Sequence, residues 1–203
     1  MLLRVTALLS LFAISFGCLT EVRAEEVAPR TETTSEALHK AQSDALKGIV
    51  TNIMPTLSQD EATHFLTMYK NYTMYSMVKA VSKDVGGAVQ ACVDNNKDMA
   101  KDLQDRFKRW DESVGGTMKD SLAGVTNMAL AQNYMPQKDV NVLFKLVDEV
   151  RAVNSSRFET APVTTPEACE FMMSQMDQTQ ESMRHLLKMT LLSYANVLRA
   201  TQK

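Results

Sequence analysis

Two histidine–methionine pairs are the residues of this 203-residue chain best suited to chemistry. His64 and Met68 are four residues apart, so that on a helix both side chains project from one face. His185 and Met189 have the same spacing. Imidazole and thioether groups bind copper(I), and one of each can hold a haem iron in a helical bundle. The spacing therefore predicts a copper or haem site as one alternative, and a packed apolar core as the other.

Methionine is unusually common, with 14 residues against seven Phe and one Trp. Four of them, Met172, Met173, Met176 and Met183, lie in one stretch near the C-terminus. Met172 and Met173 would project about 100° apart on a helix and cannot share one narrow seam. Thioethers fill irregular gaps in cores, and they also line surfaces that adapt to apolar partners. We therefore expect some of these four methionines to border a partner-binding groove, with burial of all four in the core as the alternative.

The three cysteines are Cys18, Cys92 and Cys169, and no two of them form a Cys-x-x-Cys redox motif. Cys18 follows the apolar run near the N-terminus, within a segment that is expected to be removed or lipidated, which leaves Cys92 and Cys169 as an even pair. Such a pair in an exported chain indicates a structural disulfide. We predict a Cys92–Cys169 bridge that stabilises the fold and takes no part in catalysis.

Known catalytic motifs are missing from the sequence. There is no Gly-x-Ser-x-Gly, no His-Glu-x-x-His, no phosphate-binding glycine loop and no dinucleotide fingerprint. The 22 Lys and Arg against 24 Asp and Glu supply no excess positive charge to neutralise phosphates. We therefore predict no catalytic residues and no nucleic-acid partner, and we expect a protein that is not an enzyme.

The N-terminus has the pattern of a secretory signal. Arg4 precedes an apolar run over residues 5–16, and Val22 and Ala24 stand at the −3 and −1 positions of a small-residue cleavage site. This pattern predicts a signal peptide over residues 1–24 and a periplasmic or secreted protein. The alternative is a lipoprotein signal, in which Cys18 would carry a lipid anchor. No later stretch is apolar enough to predict a transmembrane segment in the mature chain.

The remainder of the chain is predicted to be helical. Seven Gly and five Pro are too few for the many turns of a β-fold. Residues 25–34 are predicted to form a flexible leader, and residues 35–203 a single all-α domain, a bundle of five or six helices with one disulfide. Capping signals at Ser58 and at Thr165-Pro166 mark two helix starts. The pairs Gly86-Gly87 and Gly115-Gly116 predict bends or short breaks.

Together these patterns predict an exported, non-enzymatic helical bundle. It would bind a protein or an envelope component, as a chaperone, an inhibitor or an immunity protein does. The alternative is a metal- or haem-binding periplasmic bundle that uses His64, Met68, His185 and Met189 as ligands.

Overall fold

The computed structural model describes residues 34–156 and 164–201, and within these ranges the chain forms helices and no β-strand. The helices are α1 (Thr34–Ile53), α2 (Gln59–Asn95), α3 (Ala100–Ala131), α4 (Gln137–Ser156) and α5 (Pro166–Thr201). Single 3-10 turns, Met54–Thr56 and Lys97–Met99, lead into α2 and α3. The all-α prediction is confirmed. The predicted signal peptide, Cys18 and the leader as far as residue 33 lie outside the described residues.

The predicted helix starts are confirmed by their hydrogen bonds. Ser58 forms a full capping box at the start of α2: its side chain accepts from the backbone of Glu61, whose carboxylate accepts from the backbone of Ser58. At the start of α5 the hydroxyl of Thr165 accepts from the Ala168 N–H, with Pro166 as the first helical residue. Both signals are local, which explains why the sequence alone located them.

The two glycine pairs do not break their helices, since α2 and α3 remain helical through both. Gly86 has a packing role instead. A Cβ atom built on Gly86 would lie 3.3 Å from the Phe107 ring, so the missing side chain lets Phe107 of α3 pack closely against α2. The expectation of a short break was therefore wrong at both pairs, and the alternative of a bend stays a prediction.

The buried side chains form two separate clusters, which we call core 1 and core 2. Core 1 joins the first part of α2 to the last part of α3 and to α4, with α1 packed against it. Its members are Phe65, Met68, Tyr72, Val125, Met128, Ala129, Met135, Val140, Leu143 and Val147. Core 2 joins the rest of α2 and α3 to α5. Its members are Val78, Val89, Cys92, Val93, Leu103, Trp110, Val114, Cys169, Met176 and Leu187.

Along α2 and α3, buried polar side chains lie between the residues of the two cores. Asn71 donates to the backbone oxygen of Thr190 over 3.1 Å, and Ser121 and Thr190 share a hydrogen bond of 2.7 Å. All three side chains are at most 2% exposed. Because buried polar groups need partners, these bonds hold α2, α3 and α5 in one register.

The predicted disulfide is present in core 2. Cys92 at the end of α2 is bonded to Cys169 at the start of α5, and their Cα atoms are 5.9 Å apart. Together with the Asn71–Thr190 bond, this link shows that α2 and α5 run antiparallel. Within residues 34–156 and 164–201, no helix combines the length and apolar character that crossing a bilayer requires.

Candidate functional site

The structure places the four predicted metal ligands in different surroundings. Met68 is fully buried in core 1. The His64 Nδ1 atom lies 2.8 Å from the hydroxyl of Tyr134. His185 and Met189, by contrast, line an open groove between α2 and α5. Among the residues that the structure describes, no group of three or more His, Cys, Asp or Glu side chains is arranged to hold a metal ion. A copper or haem site stays a prediction.

Burial shapes the His64–Tyr134 contact. It lowers the pKa of His64, and it raises the pKa of Tyr134, with a further contribution from the charge of Glu61. The His64 Nδ1 atom and the Tyr134 hydroxyl share this hydrogen bond, and the tautomer of the imidazole decides which of them donates. This bond links α2 to the connection between α3 and α4. The other ring nitrogen, Nε2, takes no part in it.

The four methionines of the predicted partner surface face core 2. Met176 is 2% exposed, and Met172, Met173 and Met183 are partly buried against the same cluster. Other large apolar side chains of α5 are exposed, among them Phe171, Met189 and Leu192. A partner surface at the four methionines stays a prediction. Because Met176 is buried, its side chain adds no solvent-exposed area to that surface.

An open groove runs between the antiparallel helices α2 and α5; we call it the α2–α5 groove. It encloses about 360 Å³. It is lined by Leu66, Thr67, Lys70, Asn71 and Met74 of α2 and by His185, Leu186, Met189 and Ser193 of α5. Large apolar side chains stand open to solvent on both walls, since Leu66 is 44% and Met189 47% exposed.

Hydrogen bonds between α2 and α5 form the floor of this groove, and basic side chains line it. Asn71 donates to the Thr190 backbone oxygen and accepts from the Ser193 hydroxyl over 3.0 Å. Lys70 and His185 line the groove, and no acidic residue is among the described residues that do so. The arrangement can take up apolar side chains and attract a negative charge beside them.

A second polar site, which the sequence patterns did not indicate, fixes α4 to α2. Asp148 of α4 accepts hydrogen bonds from Tyr72 (3.2 Å), Ser76 (2.6 Å) and Lys79 (3.0 Å). Burial, followed by the negative charge of Asp148, raises the pKa of Tyr72, whose ring also stacks on Phe144 with centroids 3.9 Å apart. The three donors are spaced four and three residues apart on α2, a regular pattern that could have indicated a shared polar partner.

The surroundings of Asp148 also form a cavity. Lys83 of α2 and Arg151 of α4 line it together with Asp148. The carboxylate is thus a structural acceptor placed beside further cationic groups.

Comparison with known proteins adds no assignment to this geometry. No protein-family model, curated protein or solved structure matches the chain. The function proposed below is therefore supported by this chain's own residues.

Proposed function

We propose that this protein is an exported, non-enzymatic helical bundle that binds an apolar segment of another protein or of an envelope component in the α2–α5 groove. The observation that supports this proposal most directly is the exposure of Leu66 and Met189 on opposite walls of that groove. Leu192, one helical turn beyond Met189, is 58% exposed and extends the apolar surface.

The chemistry of the groove suits the apolar side chains of an amphipathic helix. Such a helix presents apolar anchors at intervals of three or four residues to a groove between two helices. Met74 and Met189 can adjust their rotamers to differently shaped anchors. Lys70 and His185 favour a partner that carries acidic residues beside its anchors.

Two features support export. Arg4 and the apolar run over residues 5–16 have the pattern of a signal peptide, which predicts a mature N-terminus at Glu25. The Cys92–Cys169 disulfide suits an oxidising compartment such as the periplasm or the extracellular space. Mass spectrometry of the protein purified from its native compartment tests the cleavage site, and it also reports any lipid on Cys18.

Site-specific photocrosslinking in the source cells tests the groove. A photoreactive residue placed at Leu66 or at Met189 is expected to capture the same discrete species. Leu130 of α3 is the matched control, because it is 67% exposed and lies outside the groove lining. Equal capture from Leu130, or no discrete species from either groove position, would contradict the proposal. A double variant, Leu66→Ser with Met189→Ser, is expected to remove binding of the captured partner without loss of helical content.

The second candidate function is binding of copper(I) or haem. It is supported by the fact that His185 and Met189 line the same groove. Elemental analysis and an absorbance spectrum of the natively purified protein test it. A stoichiometric metal that is lost in His185→Ala would favour this candidate, whereas a metal-free protein without a haem band would exclude it.

A further inference from the structure

A cavity between α2 and α4 has the character of a small-molecule site. It is open to solvent on one side and has a volume of about 370 Å³, within the range typical of ligand pockets. The small side chains of Ala80 and Ala152 form part of its walls, which leaves room between the two helices. It is distinct from the α2–α5 groove, since the described residues that line the two share no member.

Positive charge is concentrated around this cavity, and part of it has no partner. Lys79 is paired with Asp148 over 3.0 Å. Lys83 and Arg151 line the cavity, and neither makes an ion pair with any residue that the structure describes. The guanidinium of Arg151 and the ammonium of Lys83 are therefore positive charges that no described carboxylate pairs with, and an anion in the cavity would supply that counter-charge.

The charged residues that line the cavity indicate which kind of anion it would bind. Lys79, Lys83 and Arg151 face two carboxylates, Asp84 and Asp148, so that the lining carries three positive charges and two negative ones. The two carboxylates repel a dianion such as phosphate more strongly than they repel a monoanion. A monoanion matches the single excess positive charge, and the planar guanidinium of Arg151 is suited to paired hydrogen bonds with a carboxylate.

We propose that the cavity between α2 and α4 binds a monocarboxylate with a small apolar body. Arg151 donates to the carboxylate, Lys83 adds a second positive charge from α2, and the apolar body lies against Ala80 and Ala152. The carboxylate can belong to a free acid or to the C-terminus of a peptide. Because the site is separate from the α2–α5 groove, this inference does not depend on the proposed function.

Nuclear magnetic resonance titration of the full chain tests the site, with ionic strength held constant. Benzoate represents a free acid, and N-acetyl-dialanine represents a peptide C-terminus. At least one of them is expected to shift the Ala80 and Ala152 amide signals saturably, and the tighter one identifies the source of the carboxylate. Benzamide, which has the same shape without the charge, is expected to bind at least about tenfold more weakly because it forms no charge-assisted hydrogen bond.

Substitutions of cavity residues provide the second arm. Arg151→Gln is expected to weaken binding by about tenfold or more, the loss of one charge-assisted hydrogen bond. Lys188→Gln removes a positive charge from an exposed position of α5 outside the cavity and is expected to bind like the wild type. The proposal is overturned if neither carboxylate binds saturably, if benzamide or phosphate binds as tightly, or if Arg151→Gln and Lys188→Gln behave alike while circular dichroism shows both folded.

Discussion

Asp148 is the residue whose replacement most directly tests how α4 is attached to the bundle. Its carboxylate accepts from Tyr72, Ser76 and Lys79, which all lie on α2. In Asp148→Ala, the hydroxyls of Tyr72 and Ser76 lose their acceptor. Both residues are buried, with exposed fractions of 8% and 2%, so that water compensates poorly for the loss.

The expected cost follows from these contacts. A hydrogen bond to a charged group contributes about 1.5–3 kcal/mol net, and the lower end applies here because the side chain of Asp148 is 33% exposed. Two hydroxyl donors then contribute about 3 kcal/mol together. Lys79, whose side chain is 52% exposed, adds about 0.5 kcal/mol at most because solvent screens the pair. We expect Asp148→Ala to lower the free energy of unfolding by about 3 kcal/mol.

Urea denaturation measures this loss. Far-ultraviolet circular dichroism follows the helices, and the fluorescence of Trp110, the one tryptophan of the chain, follows core 2. Asp120→Ala is the control, because Asp120 is an exposed residue of α3. A double-mutant cycle of Asp148→Ala with Ser76→Ala is expected to give a coupling energy of at least about 1 kcal/mol. Additive effects, or a loss no larger than that of Asp120→Ala, would refute the reasoning.

Three other changes test separate parts of the structure, each through denaturant or thermal unfolding. The double variant Cys92→Ser with Cys169→Ser is expected to lose about 4 kcal/mol, because the bridge closes a loop across 77 positions. Because burial lowers the pKa of His64, the unfolded chain binds this proton more readily than the folded one. Stability is therefore expected to fall as pH drops below about 6.5, the ordinary histidine value, and to fall less in His64→Gln. Gly87→Ala is expected to gain about 0.5–1 kcal/mol, since a Cβ atom there meets nothing within 4 Å.

Each of these three changes has a control. The wild type measured in reductant is expected to match the cysteine variant, and an undiminished stability would show that the disulfide adds little. The wild type is the reference for His64→Gln, and an acid-side slope that is equal in the two would contradict the role of burial. Gly86→Ala is expected to gain less than Gly87→Ala because of the contact with Phe107. Equal gains would show that this contact is not tight.

Local signals in the sequence predicted the helices well. The side chains at Ser58 and Thr165 act within one helical turn, and the structure confirms both starts. Apolar residues at helical spacing are sufficient to predict an all-α chain. The expected short breaks at the two glycine pairs are absent from α2 and α3. Helix propensity is a local property, whereas the packing of Phe107 against Gly86 is a tertiary contact that sequence patterns do not reveal.

The tertiary contacts of the candidate sites could not be predicted from sequence patterns. The helical period shows that His185 and Met189 share a face, but it does not show which neighbour covers that face. Asp148 was not predicted, because its three donors lie 69 to 76 positions earlier in the chain. The same holds for the hydrogen bond between Asn71 and Thr190, which joins residues 119 positions apart.

The sequence by itself determined the helical class, two helix starts and the pairing of Cys92 with Cys169, since these depend on local spacing or on counting. Only the tertiary structure shows which methionines are buried: Met176 is buried in core 2, whereas Met189 is exposed in the α2–α5 groove. The physical reason is that two methionines have the same intrinsic tendency to leave water. Which of them does so depends on where the other helices lie, and that is a property of the assembled bundle.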